Sequence, residues 1–106
     1  MYEIVLLNTF QRATKKLFNK KDIETLAKIL QESPTAGDVL RGTGGVRKLR
    51  FAKHKGKSSG ARIIYFYQDS KDRIFLITAY TKNKKDNLSQ SEINELKKLT
   101  DHLKGG

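Results

Sequence analysis

Three segments rich in β-branched and aromatic residues follow one another between residues 46 and 81. The turn-rich sequence HKGKSSG separates the first two, Val46–Lys53 and Ala61–Gln68, and the turn sequence DSKD separates the second from Ile74–Thr81. Short connections suit antiparallel neighbours, because parallel strands need a crossover of about a dozen residues or more. These segments therefore predict an antiparallel meander of three strands, around which the rest of the chain must be arranged.

The segments before the meander predict one further strand and a helical hairpin. Tyr2–Leu7 is a β-rich run with apolar residues on both faces, as in a buried strand. Residues 10–18 and 22–30 carry apolar side chains at helical spacing. Asp22 is the expected N-cap of the second helix, and Ser33-Pro34 is its expected end, because the residue before proline is pushed out of the helical region.

A capping-box pattern, Ser89 with Glu92, starts a last helix. The order β-α-α-β-β-β-α predicts an α+β fold, a mostly antiparallel twisted sheet with the helical hairpin packed on one face and a C-terminal helix. The 106 residues, 1–106, are expected to form a single domain. The longest apolar run, Ile4–Leu7, is far shorter than the ~20 residues of a membrane span. Because cysteine is absent, a disulfide scaffold is excluded, and we expect a cytoplasmic protein with no membrane partner.

Positive charge is concentrated in one part of the chain. There are 22 Lys and Arg against 11 Asp and Glu, a formal net charge of +11, and no acidic residue occurs from Val39 to Gln68. Such clustering favours a surface that binds phosphates over one that is basic only for solubility. The cations of this stretch and of a second acid-free cluster are Arg41, Arg47, Lys48, Arg50, Lys53, Lys55, Lys57, Arg62, Lys82, Lys84 and Lys85.

Alternation along the three strands assigns their side chains to the two faces of the sheet. The odd-numbered residues are expected to form the core beneath the helices: Leu49, Phe51, Ile63, Tyr65, Tyr67, Phe75 and Ile77. The even-numbered positions, continued by Lys82, are expected on an open face: Lys48, Arg50, Arg62 and Tyr80, with Ile64, Phe66 and Thr78 between them. Like charges opposed across a sheet are costly unless an anion is bound, so this face is either a phosphate site or a solvated surface.

Few kinds of chemistry suit these residues. The glycine-rich Arg41–Gly45 lacks the spacing of a nucleotide-binding loop and is interpreted as a turn. His54 could move a proton or stand idle at the surface, and two separated histidines offer no metal-site spacing. Lys, Arg and Tyr can act on a phosphodiester without a metal, with Arg50 and Arg62 as the groups that hold the phosphate.

Three motif strings carry a resemblance to a known family: GGVRKLRF at residues 44–51, GARIIYFY at 60–67 and ITAYTKN at 77–83. With the order of elements, they resemble the RelE/ParE superfamily over nearly the whole chain, and most closely its HigB branch, the toxin half of type II toxin–antitoxin systems. The resemblance implies a ribosome-dependent endoribonuclease, or mRNA interferase, that cleaves mRNA in the ribosomal A site by attack of the 2′-hydroxyl, with no metal and no cofactor. It also implies contacts with the 16S rRNA of the 70S ribosome and neutralisation by a helix-turn-helix antitoxin of the HigA kind.

The resemblance also implies roles for particular residues. Lys48 and Arg50 stand at the family's paired basic positions on the second strand of its sheet. Arg62 matches the arginine that holds the scissile phosphate, and Lys82 matches the basic residue that supports the transition state. Further positions are assigned to RNA and ribosome binding: Arg47, Lys53, His54, Lys55, Lys57, Lys84 and Lys85.

One position departs from the family pattern. Where the RelE type has a tyrosine after the last strand, this chain has Leu88, and Tyr80 on the sheet is the nearest phenol. Two other functions are compatible with the resemblance and the charge. A ParE-like toxin inhibits DNA gyrase and lacks the catalytic cations, so Arg62 and Lys82 favour the nuclease. A non-catalytic RNA-binding module is disfavoured because the aromatic residues mostly fall at core positions.

Overall fold

The computed structural model describes residues 1–52, 60–82 and 87–105. Its elements are β1 Glu3–Leu6, α1 Asn8–Thr14, α2 Lys20–Glu32, β2 Asp38–Val39, β3 Val46–Phe51, β4 Ala61–Gln68, β5 Arg73–Thr81 and α3 Gln90–Gly105. The strands form one sheet in the order β1-β5-β4-β3-β2, in which β1 pairs with β5 in parallel and the remaining pairs are antiparallel. The predicted α+β fold is confirmed, with the two-residue edge strand β2 as an addition. Within the described ranges, no helix has the length and apolar character needed to cross a bilayer.

The start of α2 differs from the prediction. Asn19 is the N-cap, with an extended backbone, and its side-chain oxygen accepts a hydrogen bond from the N–H of Asp22 at 2.8 Å. The Asp22 carboxylate accepts a hydrogen bond from the N–H of Asn19 at 2.9 Å. The prediction of Asp22 as the cap was wrong because both residues belong to one reciprocal capping box, in which the first residue is the cap.

The sheet is covered on both faces. On one face, Phe10 of α1 and Leu26 and Leu30 of α2 pack against residues of β3, β4 and β5. On the other face, Leu96 of α3 packs over Ile64 and Phe66 among others. The expectation that the even-numbered face is open was therefore wrong for its central part, because the apolar side of α3 covers it.

A register irregularity in β5 changes which side chains face which core. Ile64 of β4 lies opposite Thr78, but the next residue, Tyr65, lies opposite Leu76, so Ile77 is an extra residue on β5. Such a bulge reverses the alternation on one side of itself. Ile74 and Leu76 accordingly join the core beneath the hairpin. Phe75 and Ile77, predicted for that same core, lie instead under α3.

Candidate functional site

The pairing of β3, β4 and β5 places two arginines and a tyrosine in one line across the sheet. Arg50 lies directly opposite Arg62, and Arg62 lies directly opposite Tyr80. Directly opposed residues have their Cβ atoms about 5 Å apart and on the same face. This line, called here the Arg50–Arg62–Tyr80 row, brings together three of the side chains that the strand alternation put on one face.

The Arg50–Arg62–Tyr80 row crosses the boundary of the part of the sheet that α3 covers. Arg50 is exposed and Arg62 is half-buried, whereas Tyr80 is 9% exposed and joins the core under α3. An Nη atom of Arg62 contacts the carbonyl oxygen of Gly60 at 3.4 Å. Across the described ranges, no Asp or Glu forms an ion pair with either arginine. Two opposed guanidinium groups without a carboxylate partner repel each other, and an anion bound between them relieves that repulsion.

Two lysines lie beside the row. Lys48 is half-buried and is two residues before Arg50 on β3, in line with Ile64 and Thr78. Its neighbour on the outer side is Asp38 of β2. Lys82 is exposed and follows the last residue of β5. Leu88 packs against the core under α3, so the position of the family tyrosine is occupied by an apolar contact.

Arg47 lies apart from the Arg50–Arg62–Tyr80 row. It stands opposite Val39 and Tyr65, at the odd-numbered alternation. Its guanidinium donates to the carbonyl oxygens of Gly37 at 2.7 Å and Thr35 at 3.3 Å, and so holds the loop before β2. Six of the predicted RNA-binding residues lie outside the described residues and stay predictions: Lys53, His54, Lys55, Lys57, Lys84 and Lys85.

The phenols with shifted pKa values lie outside the row. Burial raises the pKa of Tyr65, whose hydroxyl donates to the Pro34 carbonyl at 2.8 Å and accepts from the Gly37 N–H at 2.9 Å. A hydrogen bond with the Tyr2 hydroxyl raises the pKa of Tyr67 to about 12. Both shifts favour the neutral phenol, so neither group is prepared as a base. Within the described ranges, His, Asp and Glu do not gather into a group that could hold a metal ion.

The loop that precedes β3, residues 41–45, is held in place by α3. This loop leads directly into the strand that carries Lys48 and Arg50. Gly42, Gly44 and Gly45 have φ values of +82°, +80° and +117°, which glycine adopts without strain. The Thr100 hydroxyl of α3 donates to the carbonyl oxygen of Thr43 at 2.7 Å. The expected turn is therefore present, and it is a tight turn joined to the C-terminal helix.

One group of cations near the row was not singled out by the sequence reasoning. Arg12, Lys15 and Lys16 follow one another at the end of α1, beside the last residues of β5. Their close spacing in the sequence was a visible signal, but only the structure shows that α1 ends next to Tyr80.

Comparison with known proteins gives consistent matches. A family model for the RelE toxin of the RelE/RelB toxin–antitoxin system matches residues 3–105. The crystal structure of the intact Escherichia coli RelBE toxin–antitoxin complex contains a similar chain, with 24% identity, a TM-score of 0.58, and coverage of 74% of this chain and 94% of that one. The E. coli toxin RelE, solved in the free state with two arginines replaced by alanine, is 25% identical with a TM-score of 0.54, and covers 89% of this chain and 90% of its own.

Proposed function

Because this chain belongs to the RelE family of toxins from toxin–antitoxin systems, we propose that it is an endoribonuclease that cleaves mRNA in the A site of the translating 70S ribosome. The observation that carries the proposal is the Arg50–Arg62–Tyr80 row, in which two guanidinium groups and a phenol share one face, and neither guanidinium has a carboxylate partner among the described residues. A scissile phosphate is the anion that fits this row. Lys48 and Lys82 add positive charge on either side of it.

The proposed reaction is an attack by the 2′-hydroxyl on the adjacent phosphorus. The hydroxyl gives up its proton, the bond from phosphorus to the 5′-oxygen breaks, and that oxygen takes up a proton, leaving a 2′,3′-cyclic phosphate and a 5′-hydroxyl. Negative charge grows on the non-bridging oxygens during this step. Arg62 and Arg50 can hold these oxygens with paired N–H donors. Because both arginines lie on paired strands, their donors are placed before the reaction begins.

Tyr80 is the phenol that takes the place of the family's tyrosine in this proposal. It lies directly opposite Arg62, so we assign it to the same site, although its hydroxyl oxygen is buried in this structure. Lys48 lies beside Arg50 and Lys82 beside the end of β5, where their charges oppose the charge that builds up on phosphorus.

The decisive test is primer extension on a defined mRNA, with purified protein, with and without programmed 70S ribosomes, and in the presence of EDTA with Mg²⁺ in excess so that the ribosomes stay assembled. We expect cuts within codons that require ribosomes and survive the chelator. Arg62→Ala removes these cuts. Arg73→Ala leaves them unchanged, because Arg73 lies at the end of β5 that is far from the Arg50–Arg62–Tyr80 row. Cleavage that stops in EDTA contradicts the metal-free mechanism. An absence of cleavage in every lane contradicts the nuclease assignment and favours a gyrase inhibitor or a non-catalytic RNA-binding module.

The proposal includes a partner. As a HigB-like toxin acting in the cytoplasm, the protein is neutralised by a helix-turn-helix antitoxin of the HigA kind. An acidic antitoxin segment laid over the Arg50–Arg62–Tyr80 row would be complementary in charge. Binding of the antitoxin should then weaken with added salt and with a double Arg50→Ala, Arg62→Ala change. Binding that is indifferent to both places the antitoxin elsewhere on the toxin.

A further inference from the structure

A groove of about 360 Å³ lies between α1 and the end of β5. It exists because β1 ends at Leu6, opposite Leu76, so that the outer edge of β5 beyond this point is bordered by α1 instead of a strand. The Thr9 hydroxyl of α1 donates to the carbonyl oxygen of Ile77 and holds the helix there. The groove is lined by Arg12, Ala13, Lys15, Lys16, Leu17, Ala79, Tyr80 and Thr81.

The lining of this groove carries three positive charges and no negative one. Arg12, Lys15 and Lys16 are all exposed. None of them forms an ion pair with an acid of the described ranges. Arg12 lies in the last turn of α1 and Lys15 is its C-cap residue, where cations also favour the helix dipole, but Lys16 comes after the cap. Helix stabilisation therefore leaves the charge of Lys16 unexplained, whereas a bound anion accounts for all three.

The groove and the Arg50–Arg62–Tyr80 row meet at one residue. Tyr80 belongs to the row and also lines the groove. Adjacent strands are about 4.8 Å apart, so the row runs from β3 to β5 over about 10 Å and the groove begins at its end. A single RNA strand whose scissile phosphate lies at Arg62 would bring a neighbouring phosphate to Arg12, Lys15 and Lys16.

We propose that this groove is a second phosphate site, which holds the backbone of the substrate RNA next to the bond that is cut. The proposal rests on the proposed function, because the row is where the RNA is cleaved. Its contribution is separate from catalysis: the groove lengthens the stretch of RNA that the protein holds and makes binding depend on the length of the strand.

The test measures binding of RNA that cannot be cleaved, so that its outcome is independent of nuclease activity. Fluorescence anisotropy at low salt compares a 2′-O-methyl dinucleotide with a 2′-O-methyl hexanucleotide. The wild type should bind the longer strand more tightly, and the triple variant Arg12→Ala, Lys15→Ala, Lys16→Ala should lose this preference while binding the dinucleotide nearly as well. The slope of log affinity against log salt for the hexanucleotide should fall by about 0.7, as for one phosphate contact of a single strand.

The matched control is Lys28→Ala, Lys71→Ala, Lys98→Ala, which removes the same number of charges from exposed positions outside the groove. It should keep the preference for the longer strand. An equal loss in both triple variants would attribute binding to overall charge and overturn the proposal. A groove variant that binds both oligonucleotides like the wild type would also overturn the proposal. If that variant in addition fails to sediment with vacant 70S ribosomes, the groove binds ribosomal RNA instead of the substrate. A wild type that binds neither oligonucleotide overturns the groove assignment, whereas preserved binding without cleavage overturns only the nuclease function.

Discussion

The environment of Arg62 is unfavourable for a residue whose only role is structural. It lies between a second arginine on β3 and the phenol of Tyr80 on β5, at the boundary between covered and exposed sheet. A solvated surface arginine would carry no such repulsion. Residues that are unfavourable for stability and yet gathered on one face are a sign of a binding or catalytic role.

Removing Arg62 should therefore separate activity from stability. Arg62→Ala is expected to slow cleavage by about 10²- to 10³-fold, the cost of one preorganised donor to a developing charge. The free energy of unfolding should stay the same or rise, because the repulsion with Arg50 is relieved. Arg62→Lys should recover little activity, since an ammonium cannot donate the paired hydrogen bonds of a guanidinium. Single-turnover cleavage on programmed ribosomes and urea unfolding measure the two effects, and a parallel loss of both would indicate a structural role.

Lys82 gives an independent test of the same site. It is exposed and lies one residue beyond β5, so its substitution removes little packing. Lys82→Ala should abolish growth inhibition in cells and leave the thermal unfolding midpoint within about 1 °C, as for a surface change of no more than a few tenths of a kcal/mol. Lys28→Ala, also exposed but on α2, is the matched variant and should remain toxic. Full toxicity of Lys82→Ala would remove this residue from the site.

At the scale of elements, the C-terminal helix and the loop before β3 behave as one unit. The Thr100 side chain reaches the carbonyl oxygen of Thr43, and the Lys104 ammonium donates to the carbonyl oxygen of Gly44 at 2.8 Å. Thr43 also accepts a hydrogen bond from the N–H of Val46, the first residue of β3. The position of Arg50 therefore depends on contacts made by a helix that lies far away in the sequence.

Gly44→Ala should disturb this connection. A Cβ at this position would lie 2.6 Å from the Thr100 hydroxyl oxygen, and the φ of +80° is itself unfavourable for alanine. The left-handed backbone alone costs about 1–2 kcal/mol, and the displaced hydrogen bond adds about 1 kcal/mol. Urea unfolding should show a decrease in the free energy of unfolding equal to the sum of these two costs. Gly105→Ala, where a Cβ meets nothing within 4 Å, is the matched change and should have almost no effect.

Much of this element-level organisation could be predicted, and the failures have definite causes. The hydrophobic spacing and the short turns gave the three-strand meander, the helical hairpin and the capping box of α3, in which the N–H of Ser89 donates to the Glu92 carboxylate at 2.8 Å. The cation set followed from alternation on β3 and β4, where the pairing is regular. The faces of Phe75 and Ile77 could not be predicted, because a single extra residue in β5 leaves no mark in composition. The groove beside Tyr80 could not be predicted either, since it depends on where α1 packs.

At the scale of the whole molecule, the net charge of +11 acts on stability as well as on binding. The ion pairs described are few and exposed, such as Arg73 with Glu3 at 3.0 Å, and exposed pairs contribute only about 0–1 kcal/mol each. The folded protein brings many positive charges together, so screening them should favour folding.

We therefore expect moderate salt to stabilise this protein. The thermal unfolding midpoint should rise between low and physiological ionic strength, and a short single-stranded RNA should raise it further at low salt by binding the folded state. Scanning calorimetry at several salt concentrations measures both effects. The groove variant, with three fewer positive charges, should show a smaller response to salt, and an unfolding midpoint that falls as salt is added would contradict the electrostatic account.

The extra residue at Ile77 has one more consequence. Between Arg73 and this extra residue, β5 directs Phe75 towards α3. Beyond the extra residue, β5 directs Tyr80 to that same face of the sheet, although an unbroken alternation would place these two residues on opposite faces. The bulge thus resets the alternation within a single strand, so that one half of β5 contributes Phe75 to the core under the helix while the other half places Tyr80 opposite Arg62. Sequence changes in the first half can adapt to a different C-terminal helix without rotating the phenol away from the arginines.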